Sequence, residues 1–467
     1  MRRETTTTGA LALAGGTALG AAVALGSYAV SPLVVVGAAV GLAYLVVACV
    51  RPVAAVCGAL LLAPAEGLQV PLAGIGSLSP TEVAFLLVAV GWVWRALRGD
   101  PRTRYVQIAD FPLVALVLAV LPGAALGVDL PVVVRLTLMY GAFLLAFLTV
   151  KGFTPRELRA VVISLGLGAG LLGGLGLLAY LQGGGPVVYG TSVGGRAAFG
   201  IPDPNYFGAY LQTAAVPLLA LVVARRGRWR VPAALAVAVA LVAVVASLSR
   251  GALLATALAL AVVVLAWTRT RVAAAAVLVA VGCLTAVNLN PLLTSQTTEV
   301  AVDRLSGVTS SSSSSDNRLR LWAGAVELVV TEPQGLGVLR FREVSVRSGV
   351  TERGKPLENA HNAYLNVAVE LGVLGLVAYL AWLARVAWDV RTEWARRRPE
   401  TAALAVGVGA AFAGHALQAM TIVQYRVQTI LATLFVLTGV AAAARAWPSP
   451  DEDDADAELV PADRAAG

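Results

Sequence analysis

The stretch VVVRLTLMYGAFLLAFLTVKGFTPRELR, Val132–Arg159, sets nineteen almost wholly apolar residues against a cluster of three basic ones. A helix rises about 1.5 Å per residue, so a run of this length crosses most of a hydrocarbon layer roughly 30 Å thick. The same alternation of apolar run and short polar connection recurs along the chain. Of its 467 residues 58% are hydrophobic and 13% charged, and the mean hydropathy is +0.79. A soluble domain carries about a quarter charged residues, so the composition excludes a mainly soluble protein. No short alternating segments of the kind a β-barrel needs are visible. The expected fold is therefore an all-α polytopic membrane protein, a bundle of about 12–14 transmembrane helices with one long extracytoplasmic loop. Fourteen apolar runs can be placed, near 9–26, 29–50, 53–70, 81–97, 111–127, 132–150, 157–181, 204–224, 231–248, 251–267, 271–289, 362–388, 401–421 and 427–446.

The connections between these runs are unequal in charge. Alternate ones, among them RALRGDPRTR, KGFTPRELR, RRGRWR and RVAWDVRTEWARRR, collect 22 basic residues. The short connections of the other side collect four: Arg135, Arg196, Arg250 and Arg426. The excess of positive charge on cytoplasmic connections then puts both termini in the cytoplasm and makes this a multi-pass protein of the cytoplasmic (inner) membrane. The net charge of +8 is explained by topology, so nucleic acid is not an expected partner. The chain divides into N-terminal transmembrane helices over 1–190, a second transmembrane region over 191–446 that includes an extracytoplasmic loop at 291–360, and an acidic tail at 447–467 expected to be disordered. Within the loop, the serine run Ser310–Ser315 reads as a linker. RLRLWAGAVELV after it reads as an amphipathic helix.

Arg196, Arg250 and His361 each lie just before, or at the start of, a helix that runs inward from the outer face. Asp203 before Pro204 and Ser249 before Arg250 are candidate N-caps, as is Asn359 or His361 before the run that follows. Helix N-termini carry partial positive charge and unpaired N–H groups, so Arg196 and Arg250 beside them are suited to a phosphate or pyrophosphate. Arg135 and Arg426 read instead as headgroup-facing residues. From His361 the helix carries a polar stripe of Asn362, Asn366 and Glu370, and its Gly-x-x-Gly end is expected to admit a neighbouring helix. A carboxylate as deep as Glu370 must be paired or protonated. His415, the second of only two histidines, reads as a packed hydrogen-bonder. No Cys pair or His/Cys cluster with metal-ligand spacing is present, and no metal or cofactor is expected.

HNAYLNVAVELGVLG at 361–375, with SRG at 249–251, DPNYFGAYL at 203–211 and RLRLW…EPQGLGVLRF ahead of the histidine, resembles the O-antigen ligase and O-antigen polymerase family of bacterial envelope proteins over about residues 190–440. The resemblance implies a membrane glycosyltransferase of polysaccharide biosynthesis. Its donor would be a polyprenyl-pyrophosphate-linked glycan and its acceptor a hydroxyl of a glycan, lipid or protein. Carried over by position, Arg196 and Arg250 bind the donor pyrophosphate and His361 is the catalytic base or acceptor-orienting group. Asn362, Glu370, Arg318, Arg320 and His415 are possible support. The absence of an outer-face DxD motif agrees with metal-independent transfer. The competing class is a lipid-linked glycan flippase or other transporter, which would gather polar and broken-helix features near the midplane. A Ser312→Cys variant should be labelled by an impermeant thiol reagent added outside the cell, and labelling only from the cytoplasmic side would reverse the orientation.

Overall fold

The computed structural model describes residues 32–72, 76–183, 187–188, 191–192, 195–225, 227–266, 312–352, 355–396, 398 and 401–447. The expected runs at 9–26 and 271–289, the beginning of the long loop, and the acidic tail beyond Trp447 lie outside the described residues. The chain is an all-α polytopic membrane protein. Its described helices are α1 (Pro32–Val50), α2 (Pro52–Leu61), α3 (Pro80–Leu97), α4 (Phe111–Leu118), α5 (Leu130–Val150), α6 (Pro155–Leu181) and α7 (Pro204–Ala224). They continue with α8 (Arg230–Ala246), α9 (Arg250–Ala266), α10 (Ser312–Thr331), α11 (Arg342–Arg347), α12 (Ala363–Arg396), α13 (Ala402–Gln418) and α14 (Gln428–Ala446). Among the described residues six of these, α3, α5, α6, α7, α12 and α14, are long and apolar enough to cross a membrane. Short two-stranded hairpins occur only in connections, as at Val70–Leu72 with Gly76–Leu78.

Local chemistry explains several helix starts. Ser79 and Glu82 form a reciprocal capping box ahead of α3, as Thr154 and Glu157 do ahead of α6, each with proline at the first turn. Asp203 caps α7, its Oδ1 accepting from the Asn205 N–H at 2.7 Å. The Ser249 hydroxyl accepts from the Ala252 N–H at the start of α9. Small residues then allow close approach. A Cβ on Gly170 would lie 2.8 Å from Ala236 Cα, and one on Gly407 would lie 2.8 Å from Pro217 Cα, so α6 meets α8, and α13 meets α7, nearly backbone to backbone. α7 and α14 are buried along most of their length. α1 instead shows Val36, Val40, Val46 and Val50 outward, as a lipid-facing helix does.

The C-terminal ends of α5, α12 and α14 meet through buried ion pairs. Asp110 takes Lys151 at 2.6 Å and Arg385 at 3.3 Å, while Asp389 takes Arg385 and Arg445, each at 2.7 Å. These basic residues belong to the Arg-rich connections. The N-termini of α3, α5, α7 and α14 meet at the opposite end.

Three runs are interrupted, that at 111–127 being α-helical only to Leu118 before a 3-10 segment at Leu121–Ala124. The one expected at 53–70 is helical only to Leu61 and then turns through a 3-10 segment at Ala63–Ala65, because Pro64 cannot continue the α-helical ladder. The run at 362–388 is broken inside α12 at Gly372, with φ 72° and ψ −177°, a conformation essentially confined to glycine. The backbone groups freed by the break are taken up by the segment Glu332–Gly337. The Leu336 and Gly337 N–H groups donate to the carbonyls of Val369 and Glu370 at 2.8 and 3.0 Å, and the Val373 N–H donates to Pro333 O at 2.8 Å. The Gly-x-x-Gly end thus admits a loop of the long connection rather than a second helix.

The rest of that connection folds over the first turns of α12. Leu321, Leu328, Leu336, Phe341, Val344 and Val369 form a second, separate apolar cluster. The amphipathic helix expected at 318–329 is α10, with Leu321, Ala325 and Leu328 turned inward and Leu319, Val326 and Val330 outward. Ser312–Ser315, expected in a linker, instead form the first turn of that helix.

Replacing Gly372 by alanine would force a Cβ to within 2.6 Å of Pro333 O. Gly372→Ala should cost about 1–3 kcal/mol of stability from backbone conformation alone, read as a lower thermal midpoint in detergent. Gly141→Ala, with nothing within 4 Å of its Cβ, should be neutral or stabilising. Equal midpoints for the two variants would contradict the wedged break.

Candidate active site

The end of the bundle where helices α3, α5, α7 and α14 begin holds a cavity of about 470 Å³. Glu82 lines it from the first turn of α3, Arg135 from the second turn of α5, and Asp203 and Tyr206 from the start of α7. Arg426 and Gln428 come from the turn before α14, and Glu66 from the turn after α2. Glu82 is 2% exposed and pairs with Arg135 at 3.1 Å. Glu66 accepts from the Ser79 hydroxyl at 2.9 Å. Burial pushes the Glu66 carboxyl up to about 6, with hydrogen bonds from Ser79 and other hydroxyls opposing the rise.

Arg426 is the most connected of these groups. Its Nη2 pairs with Glu370 of α12, and its Nη1 donates to Glu358 O at 2.7 Å. The Glu370 carboxylate, 1% exposed, also accepts from the Tyr425 hydroxyl at 2.7 Å and the Phe341 N–H at 3.3 Å. Tyr425 in turn accepts from Asn366 Nδ2 at 2.7 Å, and Asn366 Oδ1 accepts from the Ala360 N–H. The expected polar stripe of α12 therefore exists and is buried, and Glu370 is paired as its depth requires. The expectation that Arg135 and Arg426 face lipid headgroups does not hold: both line the cavity, and each is tied to a buried carboxylate, Arg135 to Glu82 and Arg426 to Glu370.

The residues singled out in the sequence lie around the same end. Arg196 is 3% exposed, its Nε donating to Ser247 O at 2.8 Å and its Nη2 to Asn205 Oδ1 at 2.9 Å. It clasps the end of α8 to the beginning of α7. Three residues beyond Ser247, Arg250 opens α9 and is exposed. His361 precedes α12 in a left-handed conformation, φ 48°, with its N–H on Asn359 Oδ1 at 2.9 Å. Asn362, not Asn359 or His361, caps the helix: its Oδ1 accepts from the Leu365 N–H at 3.2 Å.

The turn after α13 joins these segments. The Ala363 N–H donates to Ala419 O at 2.6 Å, Gly251 lies against Thr421, and Gln418 Nε2 reaches Asn205 O at 3.5 Å. The segments bearing Arg250 and His361 are thus docked on one turn, Gln418–Thr421, which also reaches Asn205, the residue that Arg196 holds, although none of the three lines the cavity.

The support residues separate. Arg318 and Arg320 are exposed on α10, Arg320 reaching Ser348 O at 3.3 Å. Trp322, on the same helix, donates to Ala360 O at 2.9 Å and so braces the residue before His361. His415 is fully enclosed in α13, its Nε2 2.8 Å from the Tyr379 hydroxyl. It belongs to the core and not to the cavity.

Residues 235–380 match the O-antigen ligase family model. That segment contains SRG, the α10 helix, the wedged EPQGLG loop and HNAYLNVAVELGVLG, so the likeness to the O-antigen ligase family rests on the parts that assemble this end of the bundle. No curated protein matches the chain. Arg196 and the charged residues lining the cavity lie outside the matched segment.

Glu66 and Glu82 were not singled out in the sequence. Glu82 was accessible through the SPTE capping box, whereas Glu66 sits at the end of an apolar run with no local partner. The carboxylic-acid band absent from Glu66→Gln should titrate in infrared difference spectra of the wild type with a midpoint near 6, protonated below and ionised above. A midpoint at or below the ordinary glutamate value, about 4.3, would show the group to be solvated.

Proposed function

We propose that the protein is a membrane glycosyltransferase that transfers or polymerises a polyprenyl-pyrophosphate-linked glycan onto an acceptor hydroxyl at the outer face of the cytoplasmic membrane, with both termini in the cytoplasm. The observation that carries this reading is the docking of the Arg250 and His361 segments on the single turn Gln418–Thr421, within a stretch similar to the O-antigen ligases. Lipid-linked glycan, acceptor and membrane lipids are the partners it requires.

In this reading the donor pyrophosphate lies at the N-terminus of α9. Arg250 and the positive end of the α9 dipole offer it charge without a metal. Arg196 belongs to the same side: by holding Ser247 O it sets the backbone turn that presents Arg250, and it serves donor binding through that turn. His361 takes the proton of the attacking acceptor hydroxyl as the new glycosidic bond forms and polyprenyl pyrophosphate leaves. Its position is rigid, because Asn359, Asn362 and Trp322 brace the backbone on either side. Asn362 and Glu370 act as supports, Glu370 by anchoring Arg426 and the 332–341 segment. The break in α12, the feature that would favour a transporter, is filled by Pro333–Gly337, which takes up the backbone groups it frees.

Turnover of a defined polyprenyl-pyrophosphate glycan by purified protein tests this. His361→Ala should insert normally and lose about 10²–10⁴-fold in rate, as removal of a general base does. His361→Gln separates orientation from proton transfer, since an amide can hold a hydroxyl but is a poor base. Arg250→Lys should be almost as damaging as Arg250→Ala, because an ammonium lacks the guanidinium fork. Full turnover in His361→Ala would remove the histidine from the mechanism.

A further inference from the structure

The Glu66–Arg426 cavity is not used by the donor side as described, and its chemistry is unlike that of an anion site. Three carboxylates, Glu66, Glu82 and Asp203, face it against two guanidiniums, Arg135 and Arg426. Each guanidinium is already matched to a buried carboxylate, Arg135 to Glu82 and Arg426 to Glu370. A pyrophosphate entering there would meet a wall of net negative charge with no uncommitted cation to receive it. Nor does the wall suit a metal ion: among the described residues no three of His, Cys, Asp and Glu are grouped closely enough to hold one.

Paired carboxylates and guanidiniums do suit a ligand with many hydroxyls. A carboxylate accepts from one hydroxyl while a guanidinium donates to its neighbour, and no net charge need be brought in. Arg135 Nε, Arg426 Nε and Gln428 Oε1 are enclosed behind the wall without a hydrogen-bond partner, while the carboxyl-bearing residues Glu66 and Asp203 line the space itself. The ring of Tyr206, with Ile201, Pro202 and Val427, adds an apolar wall for C–H faces. The volume lies within the roughly 300–1,000 Å³ of small-molecule sites.

Resting on the transferase reading above, we infer that this cavity is a subsite for an uncharged sugar ring, separate from the pyrophosphate-binding side at Arg250. Arg426 joins the two: its other donors hold Glu358 O, three residues before His361, and Glu370 beneath it. A sugar seated against Arg426 and Glu66 would thus be placed beside the histidine loop.

The test uses the full chain in lipid nanodiscs. Saturation-transfer NMR is recorded with neutral gluco-, galacto-, manno- and N-acetylglucosamine-configured oligosaccharides, and binding of inorganic pyrophosphate is measured separately. At least one oligosaccharide should give a saturable signal. Glu66→Gln should weaken it by about tenfold, the loss of one hydrogen bond to a charged group. Gln69→Trp, at an exposed rim position where substitution spares the core, should block it. Pyrophosphate binding should be unchanged in both variants and lost in Arg250→Ala. No saturable signal from any oligosaccharide, undiminished binding in Gln69→Trp, or competition by pyrophosphate for the sugar would overturn the proposal. Retention of pyrophosphate by Arg250→Ala would instead defeat the donor reading and leave the sugar subsite standing.

Discussion

The ion pair of Glu370 with Arg426 is the constraint on which this end of the molecule depends. Glu370 is enclosed, two residues before the break in α12, and its carboxylate is shared among Arg426, the Tyr425 hydroxyl and the Phe341 N–H. Those donors come from the turn before α14 and from the long connection. One buried charge therefore ties three separate stretches of chain. Removing one partner of such a pair costs about 3–5 kcal/mol, because the other is left buried and alone. The tie is stronger as a constraint on geometry than as a source of net stability, since desolvation of both ions offsets much of their attraction.

The wedge at Gly372 and this ion pair act together. Pro333–Gly337 satisfies the backbone groups that the break exposes, and the same loop delivers Phe341 to Glu370. The small apolar cluster around Leu321, Phe341 and Val344 is thereby fastened to the bundle. Trp322 then reaches Ala360 and steadies the loop that carries His361. A chain of packing and hydrogen bonds thus runs from a helix break in the bundle to the proposed base.

The two ends of the bundle solve the problem of buried charge differently. At the Arg-rich end, Asp110 and Asp389 each take two cations. At the other end the pairs sit in the wall of an open space, with a partly buried carboxyl, Glu66, raised by desolvation. The first arrangement is suited to joining helices and the second to receiving a ligand.

Much of this was legible in the residues. Apolar runs, capping residues at Asp203 and Ser249, and the HNAYLNVAVELGVLG stretch are local signals, and they identified the helical membrane fold, several helix starts and the resemblance to the O-antigen ligases. Pairing was not legible. Arg426 and Glu370 are 56 residues apart, and Arg135 and Glu82 are 53 apart. An arginine near a helix end has the same sequence signature whether it meets lipid headgroups or a buried carboxylate. Periodicity likewise drew α12 as one continuous helix, because Gly372 is tolerated in a helix and breaks it only when another segment supplies the lost hydrogen bonds. The sequence by itself determined that the chain is a series of apolar helices and which connections are rich in arginine, since both follow from composition along a single stretch. Which charges face one another, and that a cavity opens between them, was decided only by the tertiary packing, since both depend on distances between segments far apart in the chain.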